Sequence, residues 1–432
     1  MAWPQWETPK GETPATQQDQ GHHSDPRPDK RHQQKLLDIY RTAFNTVITS
    51  GNFHAVLQEV KSALFKRDFE AAFGREDYLE AYAARWSPTR SLCYASVLDR
   101  ISPHLDELTG NVVEEEEEEE EEEEAEGEEA GDDVTDTEDG GETHSSKTDI
   151  HDDNDDDDVH QPESHDVTTT DAEPRLPTCL KVLALGGAAA EIVAFGSYLS
   201  HLSPETTGAI ALLDIAPWSS VVDKLRISLT SPPKLSKFAS AAKQAANKEP
   251  LLEPSRLQSA TFEQHDALAL GKEELASMIM ALSSPSPSAH EALPEPPAQP
   301  EQQQEPQPIL VTLLFTLNEL FTASGIGKTT TFLLNLTAVL PPGSLLLVVD
   351  SPGTYSETTI GKDAKRYPMQ WLLDRVLSLK TDDSQEQDGP VWDKIESHES
   401  LWFRLAPELR YAIPLEDMRY QMHLYRRGAA AM

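Results

Sequence analysis

From residue 178 onward, five short apolar runs alternate with amphipathic stretches, and a chain written this way can fold only as a layered α/β sheet. The runs are Cys179–Leu185, Ala209–Asp214, Ala260–His265, Ile309–Phe315 and Ser344–Val349. Each has the length of a strand and is short for a helix. Ala189–Leu199, Trp218–Leu229, Leu270–Leu282 and Thr330–Leu340 lie between them with helical spacing, and Met369–Leu377 follows after a loop. Buried strands separated by helices predict right-handed βαβ units and a parallel sheet.

Upstream, the pattern is helical throughout. Leu36, Leu37, Tyr40, Phe44, Val47 and Ile48 recur at one-face spacing, and Phe53–Phe65, Phe69–Phe73, Asp77–Trp86 and Ser91–Ile101 continue it. Eleven consecutive Glu (114–124) and the Asp152–Asp158 cluster then interrupt the chain; such a tract buries too little apolar surface to offset its ordering entropy. The expected division is a disordered tail at 1–32, a helical module at 33–110, an acidic disordered linker at 111–175 and an α/β domain at 176–428. Inside that domain, 283–308 is a disordered Pro/Gln-rich insert. The net charge of -39 belongs mostly to the linker, because Val112–Glu173 holds 31 Asp/Glu and one Lys. The remainder carries -9, so an anionic partner such as nucleic acid is not excluded. Two cysteines, Cys93 and Cys179, make neither a disulfide framework nor a metal cluster, and no metal site is expected. Met1–Lys30 is polar, unlike a signal peptide, and no apolar run approaches the roughly 18 residues of a membrane span. A soluble intracellular protein with no membrane partner is expected.

The first strand–helix turn reads Val182-Leu-Ala-Leu-Gly-Gly-Ala-Ala-Ala-Glu191. Gly186 and Gly187 let a backbone approach a ligand closely, and N–H groups at the helix start can hold a carboxylate. Asp214 closes the second strand, where an acid accepts hydrogen bonds from ribose hydroxyls. Asp266 closes the third, within reach of an adenine amino group. Each acid alone is more often a helix N-cap, and the glycines alone read equally as a tight turn. In register at three successive strand ends, they suit an adenosine ligand and a Rossmann-like sheet. The fourth strand ends in Phe315-Thr-Leu-Asn318-Glu319, where Asn318 and Glu319 can position or deprotonate a substrate nitrogen or simply cap a helix. The fifth gives the polar turn Asp350-Ser-Pro-Gly353. Gly325-Ile-Gly-Lys328-Thr-Thr330 imitates a phosphate loop, but Thr322 stands where the pattern needs Gly and the preceding strand ends too early. There, Thr329 or Thr330 is expected to cap the helix. Basic aromatic segments suggest RNA, because cations neutralise phosphates and rings stack on unpaired bases. They are Arg85-Trp-Ser-Pro-Thr-Arg90, the lysines 234, 237, 243 and 248, and the tail, where Arg404, Arg410, Tyr411 and Arg419 are candidate substrate contacts. The plain alternative is solvent-facing arginine on a helix.

The Gly-Gly loop with Asp214, Leu313-Leu-Phe-Thr-Leu-Asn-Glu-Leu-Phe321 before Gly327-Lys-Thr-Thr330, Asp350-Ser-Pro-Gly353 and the tail from Trp402 to Arg427 together resemble the fungal large-subunit (25S) ribosomal RNA uridine-N3 methyltransferases. The resemblance spans roughly 33–110 and 178–427. It implies S-adenosylmethionine (SAM) as cofactor and methyl donor, a Rossmann-like methyltransferase sheet, and methylation of one uridine in ribosomal RNA. It further implies action in the nucleus, nucleolus or cytoplasm. The acidic tract is available to basic ribosomal proteins or pre-ribosomal particles, or simply repels self-association. It carries over no catalytic residue; Glu319 as base and Asn318 as positioning group rest on the strand-end reading. The rival readings are a methyltransferase of protein or small molecules, a non-catalytic RNA-binding assembly factor, and a nucleotidase.

Overall fold

Seven strands form one sheet in the order β3-β2-β1-β4-β5-β9-β8. The computed structural model describes residues 29–109, 178–235, 238–246, 249–283, 307–353, 357–360, 365–379 and 391–428. The expected disordered tail up to residue 28, the acidic linker and nearly all of the Pro/Gln-rich insert lie outside them.

The helical module comprises α1 (Lys30–Ala43), α2 (Asn45–Ile48), α3 (Phe53–Phe65), α4 (Phe69–Phe73), α5 (Glu76–Arg85), α6 (Ser87–Arg100) and α7 (Ser102–Thr109). Helix α1 starts three residues before the expected Gln33, because Asp29 caps it by accepting the Arg31 N–H. The sheet then runs β1 (Cys179–Leu185), α8 (Ala189–His201), β2 (Thr207–Asp214), α9 (Ser219–Leu229), α10 (Ala241–Ala246), β3 (Leu257–Gln264), α11 (Lys272–Ser283) and β4 (Leu310–Leu314). It continues through α12 (Leu317–Ala323), α13 (Ile326–Val339), β5 (Leu345–Asp350), a small hairpin β6 (Glu357–Ile360) and β7 (Lys365–Pro368), α14 (Met369–Leu377), β8 (Trp392–Phe403) and β9 (Met418–Arg427).

All five expected strands form, and β1 to β5 are mutually parallel. The sheet is nevertheless not all parallel. β9 pairs antiparallel with both β5 and β8, so the tail read as an RNA-contacting segment builds two strands. Tyr420, Met422 and Leu424 join the core on one face and Tyr425 joins it on the other. One face is covered by α8, α9 and the helical module, the opposite face by α11 to α14.

The helical module and the sheet share one compact unit. The join is polar as well as apolar. Tyr40 Oη donates to the Ala189 carbonyl at 2.8 Å and touches Ser91 Oγ, which donates to the Ala190 carbonyl at 3.0 Å. Both carbonyls belong to the first turn of α8, so α1 and α6 are fixed to the helix that follows β1. Tyr40→Phe is expected to destabilise the fold by about 1–2 kcal/mol, the loss of one buried hydrogen bond, read from the urea midpoint at unchanged m-value.

Candidate active site at the carboxyl edge of the sheet

The chain runs outward through β1, β2 and β3 and then returns to β4, so strand order reverses between β1 and β4. Ligands of open α/β sheets bind in the crevice at this reversal. Gly186 and Gly187 follow β1, and both N–H groups point to the Leu213 carbonyl of β2, at 2.7 and 3.2 Å. Gly186 has φ +69°, which a side chain tolerates poorly. A Cβ there would lie 2.4 Å from Thr316 Cγ2, and one at Gly187 would lie 2.8 Å from Ala184 Cβ. Packing between the loops after β1 and β4 thus demands glycine whether or not a ligand is present.

Glu191 is buried in the first turn of α8 and accepts the Ala188 N–H at 2.7 Å. The helix start expected to hold a ligand carboxylate therefore holds one of the protein's own. Burial pushes Glu191 up to about 7, against the pull of those backbone N–H groups. Asp214 is buried at the end of β2 and accepts the Ala216 N–H at 2.8 Å. Burial lifts it to about 6, and the Trp218 indole N–H lies near it without reaching hydrogen-bond geometry. Asp266 departs from this group. It is exposed beyond β3 and accepts the Leu268 N–H at 3.0 Å, capping the single turn Ala267–Ala269.

At the end of β4, Phe315 takes φ +57°, held by its N–H to the Val349 carbonyl at 2.6 Å. A non-glycine residue in this region costs on the order of 1 kcal/mol or more. The chain then turns directly into α12, a helix the sequence reading missed, and Asn318 and Glu319 form its first turn. Asp350, fully buried at the end of β5, accepts the N–H groups of Asn318 at 2.9 Å and Ser351 at 2.8 Å, and burial lifts it to about 6. Glu319 is buried too. Its Oε1 faces Arg67 Nη2 at 3.4 Å, and its Oε2 is buried with no hydrogen-bond partner among the described residues.

The helical module brings side chains from far off in the chain to this edge. Arg67 reaches Glu319 from the α3–α4 turn, and Tyr82 packs on Trp218 with ring centres 5.7 Å apart. The Tyr94 ring sits 6.2 Å from Phe315. Arg90, read as RNA-facing, lies between two rings with its guanidinium carbon 5.6 Å from Tyr82 and 5.7 Å from Phe315. One signal existed: Ser91 to Leu98 carries no charge, which marks α6 as buried nearly all round.

The proposed substrate contacts scatter. Arg404 remains exposed, paired with Asp417 at 2.8 Å and stacked 4.1 Å over the Trp402 ring; Arg419 donates to Ser400 Oγ at 2.8 Å beside the same ring. Arg410 is exposed, but its backbone is bracketed by the Gln34 side chain. Tyr411 is half-buried and ties the tail to the helical module by donating to the Ala84 carbonyl at 2.7 Å. Arg85 pairs with Glu416 at 2.7 Å, and Lys234 is exposed. Residues 237 and 248 and the side chain of Lys243 lie outside what the structure describes. The phosphate-loop imitation is resolved: α12 stands between β4 and the glycines, and α13 begins at Ile326. Thr329 and Thr330 are therefore inside α13, and Thr329 Oγ1 donates back to the Gly325 carbonyl at 3.2 Å instead of capping the helix. Among the described residues, no three His, Cys, Asp or Glu gather as metal ligands, and no helix is long and apolar enough to cross a membrane.

A family model described as "Putative SAM-dependent methyltransferase" matches residues 40–426. The chain is 27% identical over 399 residues to the "25S rRNA (uridine(2843)-N(3))-methyltransferase" of Saccharomyces cerevisiae, covering 91% of this chain and 85% of that one. Among solved structures, it is similar to a SAM-dependent methyltransferase from Methanosarcina mazei (10% identity, 57% of this chain, 92% of that chain, TM-score 0.28). It is also similar to the N-methyltransferase NodS from Bradyrhizobium japonicum in complex with S-adenosylhomocysteine (10% identity, 57% and 78%, TM-score 0.24).

SAM fits the residues at this crevice. Glu191 and Asp214 are buried carboxylates raised by desolvation, which favour the hydroxyls and cationic groups such a molecule offers. Without it, Asp214 costs stability. Its folded value of about 6 exceeds the usual carboxyl value of 3.8, so the folded state binds the proton more tightly and loses stability as pH rises between those values. Asp214→Asn is expected to stabilise the ligand-free protein at pH 8 by on the order of 2–3 kcal/mol, a gain that vanishes below about pH 4. The same change is expected to weaken SAM binding by at least about tenfold. Chemical denaturation at both pH values and calorimetric titration check the two halves.

Proposed function

Because the chain belongs to this family of SAM-dependent methyltransferases, we propose that it methylates N3 of a uridine in large-subunit ribosomal RNA. The likeness to the yeast ribosomal RNA enzyme over nearly the whole of both chains carries this reading. The crevice supports it, with an acceptor oxygen of Glu319 left without a hydrogen-bond partner among the described residues, just after the turn that follows β4.

SAM, when bound, supplies a methyl group already activated on a sulfonium. Gly186 and Gly187 would hold the cofactor by letting the backbone approach it closely, and Asp214 would accept the ribose hydroxyls. Asp266 stays an adenine contact only by leaving its cap on Leu268. Uridine N3 carries a proton and lies on the pairing edge, so the base must be unpaired and turned out of its stack. Glu319 Oε2 takes that proton, while Arg67 steadies the other oxygen. Asn318 holds the uracil edge, and Asp350 fixes Asn318 through its backbone N–H. Arg404 and Arg419 keep exposed guanidinium faces for RNA, whereas Arg410 and Tyr411 act through the fold of the tail. The substrate places the protein inside the cell, in nucleus, nucleolus or cytoplasm. The acidic tract is the proposed contact for basic ribosomal proteins of pre-ribosomal particles.

Mass-spectrometric mapping of methyluridine in ribosomal RNA, with and without the protein, decides the substrate. Loss of one N3-methyluridine without the protein is expected; an unchanged map, or transfer of labelled methyl to protein alone, overturns the reading. Glu319→Gln is expected to lower kcat by about 10²–10⁴ with SAM affinity unchanged. Full turnover in that variant removes Glu319 from the chemistry.

A further inference from the structure

SAM ends in an amino acid, whose carboxylate and ammonium need partners of opposite charge in a buried site. The first turn of α8 is closed to that carboxylate, since Glu191 already accepts the Ala188 N–H there. The cation must come from elsewhere, and one is at hand. Ser91 hydrogen-bonds the Ala190 carbonyl, which brings α6, with Arg90 next in sequence, against the first turn of α8 that carries Glu191. Its guanidinium lies between the rings of Tyr82 and Phe315, so it bridges from the Trp218 side of β2 to the end of β4. The Tyr82 hydroxyl accepts from its Nη1. The planar fork of arginine presents five donors and suits bidentate binding of a carboxylate.

Resting on the family's cofactor and independent of the RNA substrate, we propose that Arg90 and Glu191 form the recognition site for the amino-acid end of SAM. Arg90 takes the α-carboxylate and Glu191 the α-ammonium. The two side chains carry the inverse of the ligand's charge pair, on the module and on α8 respectively. Glu191 also profits from a cation, because burial and the nearby Asp214 raise its pKa and Arg90 opposes that rise. The helical module is on this account part of the cofactor site, and an arginine whose sequence context suggests RNA serves the donor instead. Its position between buried rings agrees, because phosphate-binding arginines face solvent.

Ligands that differ only at the amino-acid end test this by titration calorimetry, without any turnover. S-adenosylhomocysteine has the amino acid, and 5′-methylthioadenosine keeps adenosine and thioether but lacks it. Arg90→Met is expected to weaken S-adenosylhomocysteine by about 30-fold or more and to leave methylthioadenosine within about twofold. The second ligand also reports whether the variant is folded. The wild-type protein supplies the complementary test: decarboxylated SAM, which keeps the amine, is expected to bind about 30-fold more weakly than SAM. Equal weakening of both ligands by Arg90→Met, no weakening of either, or wild-type binding of decarboxylated SAM as tight as that of SAM overturns the proposal alone. A wild-type protein that binds none of these ligands overturns it together with the cofactor reading.

Discussion

A Cβ at residue 186 would stand 2.4 Å from the Thr316 side chain, and the whole carboxyl edge depends on that atom being absent. Gly186 follows β1 and Thr316 follows β4, the two strands between which chain order reverses. Their contact brings the Gly-Gly loop, Glu191 and Asp214 on one side to within a single turn of Phe315, Asn318 and Glu319 on the other. Phe315 accepts an unfavourable backbone angle in the same place. Strain and close approach coincide where two loops must converge tightly enough to leave one shared crevice.

The crevice is costly to maintain. Glu191, Asp214 and Asp350 are buried carboxylates, each lifted above its ordinary range by desolvation. Backbone N–H groups of Ala188, Ala216, Asn318 and Ser351 offset part of that cost. Fixed dipoles around a charge in a dry site are the arrangement that makes electrostatics strong there. The helical module packs over it: α6 lies against α8, and Tyr82, Tyr94 and Trp218 pack near the strand ends. Stability spent on buried acids is recovered in the apolar layers on both faces of the sheet.

The five parallel strands were legible because each is a continuous apolar run bounded by turn residues, and both faces of such strands are buried. β9 was not read as a strand, although it alternates strictly. Tyr420, Met422 and Leu424 face one core, while Arg419, Gln421 and His423 intervene. Their polarity suggested a surface, yet His423 is fully buried and satisfied by Ser397 and Gln421 at 2.9 and 3.0 Å. A buried polar network looks in sequence like solvent exposure, because patterning registers hydrophobicity and not hydrogen-bond partners. Helix α12 was missed for another reason: its start depends on the left-handed turn at Phe315, which no propensity favours at an aromatic residue.

Among the candidate site residues, those adjacent to strand ends were accessible and those brought from afar were not. Gly186, Gly187 and Asp214 follow from the βα rhythm, whereas Arg67 meets Glu319 across 252 residues. Arginine shows the limit most clearly. Arg90 and Arg404 each stand near a tryptophan in a basic aromatic stretch, and composition treats them alike. Arg404 lies exposed over Trp402 and paired with Asp417. Arg90 sits half-buried on a helix covered over most of its length, with its guanidinium between the rings of Tyr82 and Phe315. The same guanidinium thus serves different chemistry according to the dielectric around it. In water its charge is screened and selects little, but at a dry strand end it selects a carboxylate.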